Sequence, residues 1–397
     1  MLLATPEVFR PYRAVAQSPA ALPGKTPAYA AALEPTLARL CDELLVPGAA
    51  VLVQSPQLGD WATTFGTRML GGAQPVALGD HVRIGSNTKT MTGTVILQLV
   101  EEGKLRLDEP VSKYRPDVPN GEHITIDSLL RMRSGLYNYS ESVELNQALD
   151  DTPTRVWTPD EVLAISFAQP PVFAPGERYS YSNTNYVLLG LIIEQLTADS
   201  AENQFQQRIF DPLGLTETVL PARASNAIPD PHPQGYQYGT NVETIASQAL
   251  PADQQAQAAA GTLLPINVTN ENPSWGWTAG AGISTAGDLA RYVQALVGGG
   301  LLSNQLQAQR LASMQPTNPA DPAGTSFGLG LAHFGPMYGF IGDIPGYNSF
   351  TGHDPDRAIS VVVWTSLGYA PDGRPPATEL GKAILAQLYG PGILPGA

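Results

Sequence analysis

Ser86-Asn87-Thr88-Lys89 sets a hydroxyl three residues ahead of an ammonium, and Ser86 is the only serine in the chain with a lysine at that spacing. Positions i and i+3 share a helix face, so on a helix the two groups lie side by side, and the partial positive charge of a helix N-terminus adds to the effect. A serine placed this way is poised for nucleophilic attack. Tyr181-Ser182-Asn183 follows downstream, at a turn leading into a second apolar helix. A tyrosine near an ammonium can act as a general base, and an asparagine can hold a substrate carbonyl. Each motif is short enough to arise by chance, and a Tyr-Ser-Asn alone is more often a turn with a helix cap.

Other chemistries find less support. The five histidines (His81, His123, His232, His333, His353) show no H-x-x-x-H or H-E-x-x-H spacing, so no zinc site is expected. His353-Asp354-Pro355-Asp356 reads as a surface β-turn. No glycine-rich phosphate loop opens a helix after a strand, so no nucleotide or other cofactor is expected. Cys41 is the single cysteine, which excludes an intramolecular disulfide framework. The net charge of −14, from 22 basic and 36 acidic residues, disfavours nucleic acid and anionic membrane surfaces as partners.

The elements that must position these groups follow from apolar periodicity. The 397 residues and 43% hydrophobic content suffice for a large core and about two domains. Apolar runs such as Tyr186–Ile193 fall short of the ~20 residues that cross a bilayer. Ala14-Val15-Ala16 imitates a signal-peptide cleavage site, but Arg10, Pro11 and Arg13 interrupt the apolar stretch such a signal needs. Residues 1–25 read as an extended arm. A helix over Tyr29–Leu45, strands Ala49–Gln54 and Trp61–Leu70, and a buried helix Ser86–Glu102 stopped by Gly103 come next. Residues 105–220 alternate helices with Pro/Gly turns. Residues 221–273 have few large apolar side chains and read as a long loop, functional as a pocket rim. After a helix at Gly287–Val297, strands are expected at Phe327–His333, Tyr347–Gly352 and Ala358–Ser366, then a helix at Ala377–Tyr389. The fold class is therefore α/β: a sheet domain built from residues 26–104 and 274–397, and a mainly helical domain from 105–273.

Five ordered motifs carry a resemblance. They are Gly85–Lys89, Arg133–Tyr139, Tyr179–Tyr186 with Leu188-Leu189-Gly190, Phe210–Leu215, and Ala279–Thr285. From about residue 30 to about 390 the chain resembles serine hydrolases of the penicillin-recognising superfamily, on the branch of class C β-lactamases, Streptomyces-type D-Ala-D-Ala carboxypeptidases and related esterases. The resemblance implies a β-lactamase/transpeptidase-like fold, an antiparallel sheet flanked by helices plus an all-helical domain, and an extracytoplasmic location. It makes Ser86 the acylated nucleophile, Lys89 its activator and Tyr181 the proton shuttle. Asn183 would contact the substrate amide or carbonyl, and Trp275 would line the pocket.

The third motif of that superfamily, K-T-G or H-x-G on a core strand, is altered. The best register places Phe340-Ile341-Gly342 there, ahead of Asp343-Ile344-Pro345-Gly346-Tyr347. An aromatic replaces the cation, while the backbone N–H of Asp343 would still complete an oxyanion hole with that of Ser86. A competing register uses His333-Phe334-Gly335. Ala332 stands where the carboxypeptidases carry a carboxylate-binding arginine, so the resemblance implies an ester or amide acyl substrate that need not end in a carboxylate. A D-Ala-D-Ala carboxypeptidase, D-amino-acid peptidase or β-lactamase, with Arg291 or Arg357 supplying the charge, is the alternative. An acyltransferase and a catalytically silent binding module stand behind these.

Overall fold

The computed structural model describes residues 26–391; the N-terminal arm and the imitation cleavage site lie outside these residues. Helix α1 (Ala28–Glu43) buries Ala30, Leu33, Leu37 and Cys41 along one stripe, the i, i+3, i+7 pattern of a helix covering a core. The chain then forms strands β1 (Gly48–Gln54) and β2 (Trp61–Gly66), and returns to the sheet only near its end. There it adds β3 (Gln315–Pro316), β4 (Ser326–Phe327), β5 (Ala332–Phe334), β6 (Met337–Ile344), β7 (Tyr347–Asp354) and β8 (Ile359–Thr365). All neighbours are antiparallel, in the order 2-1-8-7-6-5-4-3. β1 joins β8 over Ala49–Gln54, so the first and last strands of the fold meet inside the sheet, one strand in from the β2 edge. Every residue of β7 and β8 is buried, as a strand covered on both faces requires.

Four more helices matter for the site: α2 (Thr88–Glu101), α3 (Asn183–Thr197), α4 (Ala286–Gly298) and α5 (Pro376–Tyr389). α5 lies on β7 and β8 and against α1, and α4 lies on β1, β7 and β8. α2 is buried on nearly every side and packs against α3. No helix among the described residues is long and apolar enough to cross a membrane.

Three expectations change. Phe327–His333 is a hairpin rather than one strand, because Gly328 N–H bonds to Leu331 O at 2.9 Å and Gly330 takes φ +67°. Gly330 also abuts Gly93 of α2, where a β-carbon would meet the Gly93 backbone at 3.0 Å. The turn expected at His353–Asp356 falls at Pro355–Ala358; His353 and Asp354 are buried at the end of β7. Residues 221–273 are not structureless. They hold helices Asn241–Ala246 and Ala252–Ala259 and a strand pair, Tyr236–Gln237 with Ile266–Asn267. The first of these helices begins with a capping box between Thr240 and Glu243, a T-x-x-E signal present in the sequence and overlooked.

Candidate active site

Ser86 sits on a single 3₁₀ turn, Gly85–Asn87, that runs directly into α2. The turn rests on the part of β6 that β5 leaves unpaired, since β5 pairs only with Met337–Gly339. Two glycines permit this approach. Gly85 has φ +52°, and a β-carbon there would stand 2.6 Å from Asp343 N. A β-carbon on Gly342 would stand 2.0 Å from Ile84 O. That carbonyl also accepts a 3.0 Å hydrogen bond from Ser349 Oγ on β7, which ties the turn to the sheet.

Lys89, one helical turn on, is fully buried. Its Nζ has three hydrogen-bond partners, Ser86 Oγ at 2.9 Å, Asn183 Oδ1 at 2.6 Å and Ala279 O at 2.7 Å. Burial disfavours the ammonium and lowers its pKa well below the usual value. Ser86 Oγ and Tyr181 OH lie 2.5 Å apart, and either can donate. Burial raises the Tyr181 phenol, and the bond to Ser86 partly opposes the rise. Lys89 Nζ lies 4.7 Å from the centroid of the Tyr181 ring, within the range of cation–π attraction.

Asn183 opens α3, with its backbone N–H held by Asn138 Oδ1 at 2.9 Å and its Nδ2 donating to Ser140 Oγ at 2.9 Å. These bonds aim its carbonyl oxygen at Lys89. The run Tyr137-Asn138-Tyr139, quoted in the sequence without a role, therefore orients the site, and Tyr139 OH bonds to the carbonyl of Trp275 at 2.6 Å.

These groups open into a cavity of about 420 Å³. Trp275 lines it, and Leu145, Leu149 and Ile245 extend its apolar side. The short helix Asn241–Ala246 forms part of the wall, so the 221–273 segment does serve as a rim. Strand alternation turns Ile341 and Asp343 toward the cavity. Phe340 is instead buried, edge-on to Phe327 at 5.6 Å, which in turn contacts Tyr179. The apolar surface expected from Phe340 is thus supplied by its neighbour. Among the described residues, no lysine or arginine side chain lines the cavity.

The competing register does not reach the site. His333 pairs with Tyr338 near the far end of β6 and stacks on it at 4.2 Å. The two candidate arginines are engaged elsewhere: Arg291 with Gly214 O and Asp288, Arg357 with Leu388 O and the Tyr389 ring. Several cavity groups escaped the sequence reading, Tyr369 and Glu141 among them. Tyr369 stands in the loop after β8 and Glu141 in the turn before the helix Val143–Asp151, and neither belongs to a motif.

The chain is similar to several known proteins. Protein Rv1367c of Mycobacterium tuberculosis (strain H37Rv) is 28% identical over 284 residues, 67% of this chain and 66% of the relative. The chain spans 61% of the length of the Bacillus subtilis (strain 168) relative PbpX. A D-stereospecific amidohydrolase from Streptomyces sp. superposes with a TM-score of 0.75 at 28% identity, over 90% of this chain and 98% of that one. The octameric penicillin-binding protein homologue from Pyrococcus abyssi gives 0.72 at 27% identity, over 91% and 77%. The Beta-lactamase family model matches residues 35–386, and with its fold and these neighbours the chain belongs to that family, within the penicillin-recognising superfamily.

Proposed function

We propose that this chain is a serine acyl hydrolase that works through an acyl-enzyme on Ser86. The observation that carries the reading is the contact set around Ser86 Oγ, with Lys89 Nζ at 2.9 Å and Tyr181 OH at 2.5 Å at the edge of a cavity. A lysine whose burial favours the neutral amine can draw on the serine proton. Tyr181 passes that proton to the leaving group, a task worth ~10²–10⁴ in rate. The N–H groups of Ser86 and Asp343, brought together by Gly85, stabilise the oxyanion, and Asn183 contacts the acyl substrate beside Trp275.

The substrate class is an ester or amide without a terminal carboxylate. A carboxylate entering this cavity would lose water and meet Ile341, Asp343 and Glu141 in place of a cation, and an unpaired desolvated charge is costly. A second reading, an amidase acting on D-aminoacyl amides, draws support from the similarity to the Streptomyces D-stereospecific amidohydrolase.

Intact-mass spectrometry after exposure to a p-nitrophenyl ester, a D-amino-acid amide, benzylpenicillin and a D-Ala-D-Ala peptide tests both. An adduct mapped to Ser86 with the ester or the amide is the expected result. A label on another residue, or full activity in Ser86→Ala, overturns the mechanism.

A further inference from the structure

Around Ser86, Lys89 Nζ is held by Ser86 Oγ, Asn183 Oδ1 and Ala279 O, and Tyr181 faces Ser86 Oγ, with Asn183 Oδ1 at 3.5 Å. Both groups sit on the serine side of the acyl bond, suited to returning a proton to Oγ. Water must arrive from the cavity. The carboxyl there that stands nearest the serine turn along the backbone is Asp343, whose main chain touches Gly85 and whose side chain is exposed to the cavity beside Tyr369. The other cavity carboxyl, Glu141, belongs to a different wall, where it accepts a bond from Asn138 Nδ2 at 3.1 Å.

Resting on the acyl-enzyme reading above, we propose that the side-chain carboxylate of Asp343 is the general base of deacylation, and that Tyr369 positions it. The water oxygen bonds to the acyl carbon while Asp343 takes one of its protons. The tetrahedral intermediate collapses, the bond from acyl carbon to Oγ breaks, and Oγ takes the Tyr181 hydroxyl proton. The proton held by Asp343 returns through cavity water to Tyr181, which leaves free acid and free serine. Desolvation by the surrounding protein pushes the carboxyl up to about 7, and the Tyr369 phenol opposes the rise. A base poised near neutrality suits proton abstraction from water. The titratable groups that face it are Tyr369 from the loop after β8, Tyr181 with Lys89 behind it, and Glu141 across the cavity.

The test compares wild type, Asp343→Asn and Tyr369→Phe by stopped-flow kinetics and intact mass with p-nitrophenyl acetate. Asp343→Asn should keep a burst of about one equivalent at near wild-type rate and accumulate acetyl-Ser86. Its steady-state turnover should fall ~10²-fold or more, and hydroxylamine, a stronger nucleophile than water, should restore turnover. Tyr369→Phe should move the midpoint of the deacylation pH profile upward, because it removes the phenol oxygen that lowers the Asp343 pKa. Turnover of Asp343→Asn within about twofold of wild type, or a burst slowed as much as turnover, overturns the proposal. Should Asp343→Asn not fold, Asp343→Ser carries the same test. Failure of the hydrolase reading is separate: it appears as wild-type enzyme that never acylates Ser86.

Discussion

Gly85 and Asp343 lie in backbone contact, with a β-carbon at Gly85 placed 2.6 Å from the Asp343 nitrogen. Residues 258 positions apart thus set the Asp343 backbone nitrogen against the serine turn, and the lack of a side chain at Gly85 permits it. Asn87 Nδ2, which donates to Ser349 Oγ at 2.9 Å, braces the same junction from the sheet side.

Gly85→Ala and Gly342→Ala should each push the serine turn away from β6. Overpacking of this kind costs ~1–3 kcal/mol, but loss of one oxyanion donor costs ~10²–10³ in kcat. Esterase turnover should therefore collapse in protein that still melts cooperatively, as paired kinetics and thermal melts would show. An alanine variant of either glycine with wild-type kcat would disprove the assigned oxyanion geometry.

Tyr181→Phe keeps the ring over Lys89 and removes the oxygen 2.5 Å from Ser86. Turnover should drop ~10²–10⁴-fold with KM and melting temperature unchanged. Near-normal turnover would transfer proton handling to Lys89.

Substrate choice should follow the wall of the cavity. Short neutral esters are expected to show higher kcat/KM than benzylpenicillin or a D-Ala-D-Ala peptide, and Ile341→Arg should shift that ratio toward the carboxylates about tenfold, through one charge-assisted hydrogen bond. Phe340→His, the change the sequence register suggests, should instead disturb the Phe327–Tyr179 cluster and lower stability. A wild-type preference for the carboxylates would mean that a cation reaches the cavity by another route.

Glu271 gives the stability a pH dependence. Burial pushes its carboxyl up to about 7, the Asn241 amide opposes the rise, and its Oε2 has no partner. The folded state therefore favours the protonated form. Stability is greatest below the ordinary carboxylate range near 4.5, falls as pH rises from there to about 7, and is level above. Glu271→Gln should raise the melting temperature at pH 8 and have less effect at pH 5. An equal shift at both pH values would show that its charge plays no part.

Much of this was legible in the chain. The S-x-x-K spacing, the apolar stripe of α1 and the uninterrupted apolar runs of β1 and β8 are local patterns with one favourable solution each, and the structure has them where periodicity puts them. β6 was harder to see: Met337–Ile344 contains two glycines and an aspartate, residues that weaken any strand signal, and only the resemblance pointed to it. The hairpin at Phe327–His333 and the helices within 221–273 were missed for a related reason, since a two-residue strand or a helix of about two turns is stable only against its neighbours.

By itself the sequence determined which residues carry reactive groups, that Ser86 and Lys89 share a face, and that strands at both ends must enclose helices. The tertiary structure decided what those groups meet. Ala279 O and Asn183 Oδ1 hold Lys89 from two other segments, Ile341 rather than Phe340 faces the cavity, and Asp343 and Tyr369 come together from strand and loop. The division is physical: periodicity over a few residues fixes the direction of a side chain relative to its own element, whereas its partners depend on how distant elements pack, which no local spacing encodes.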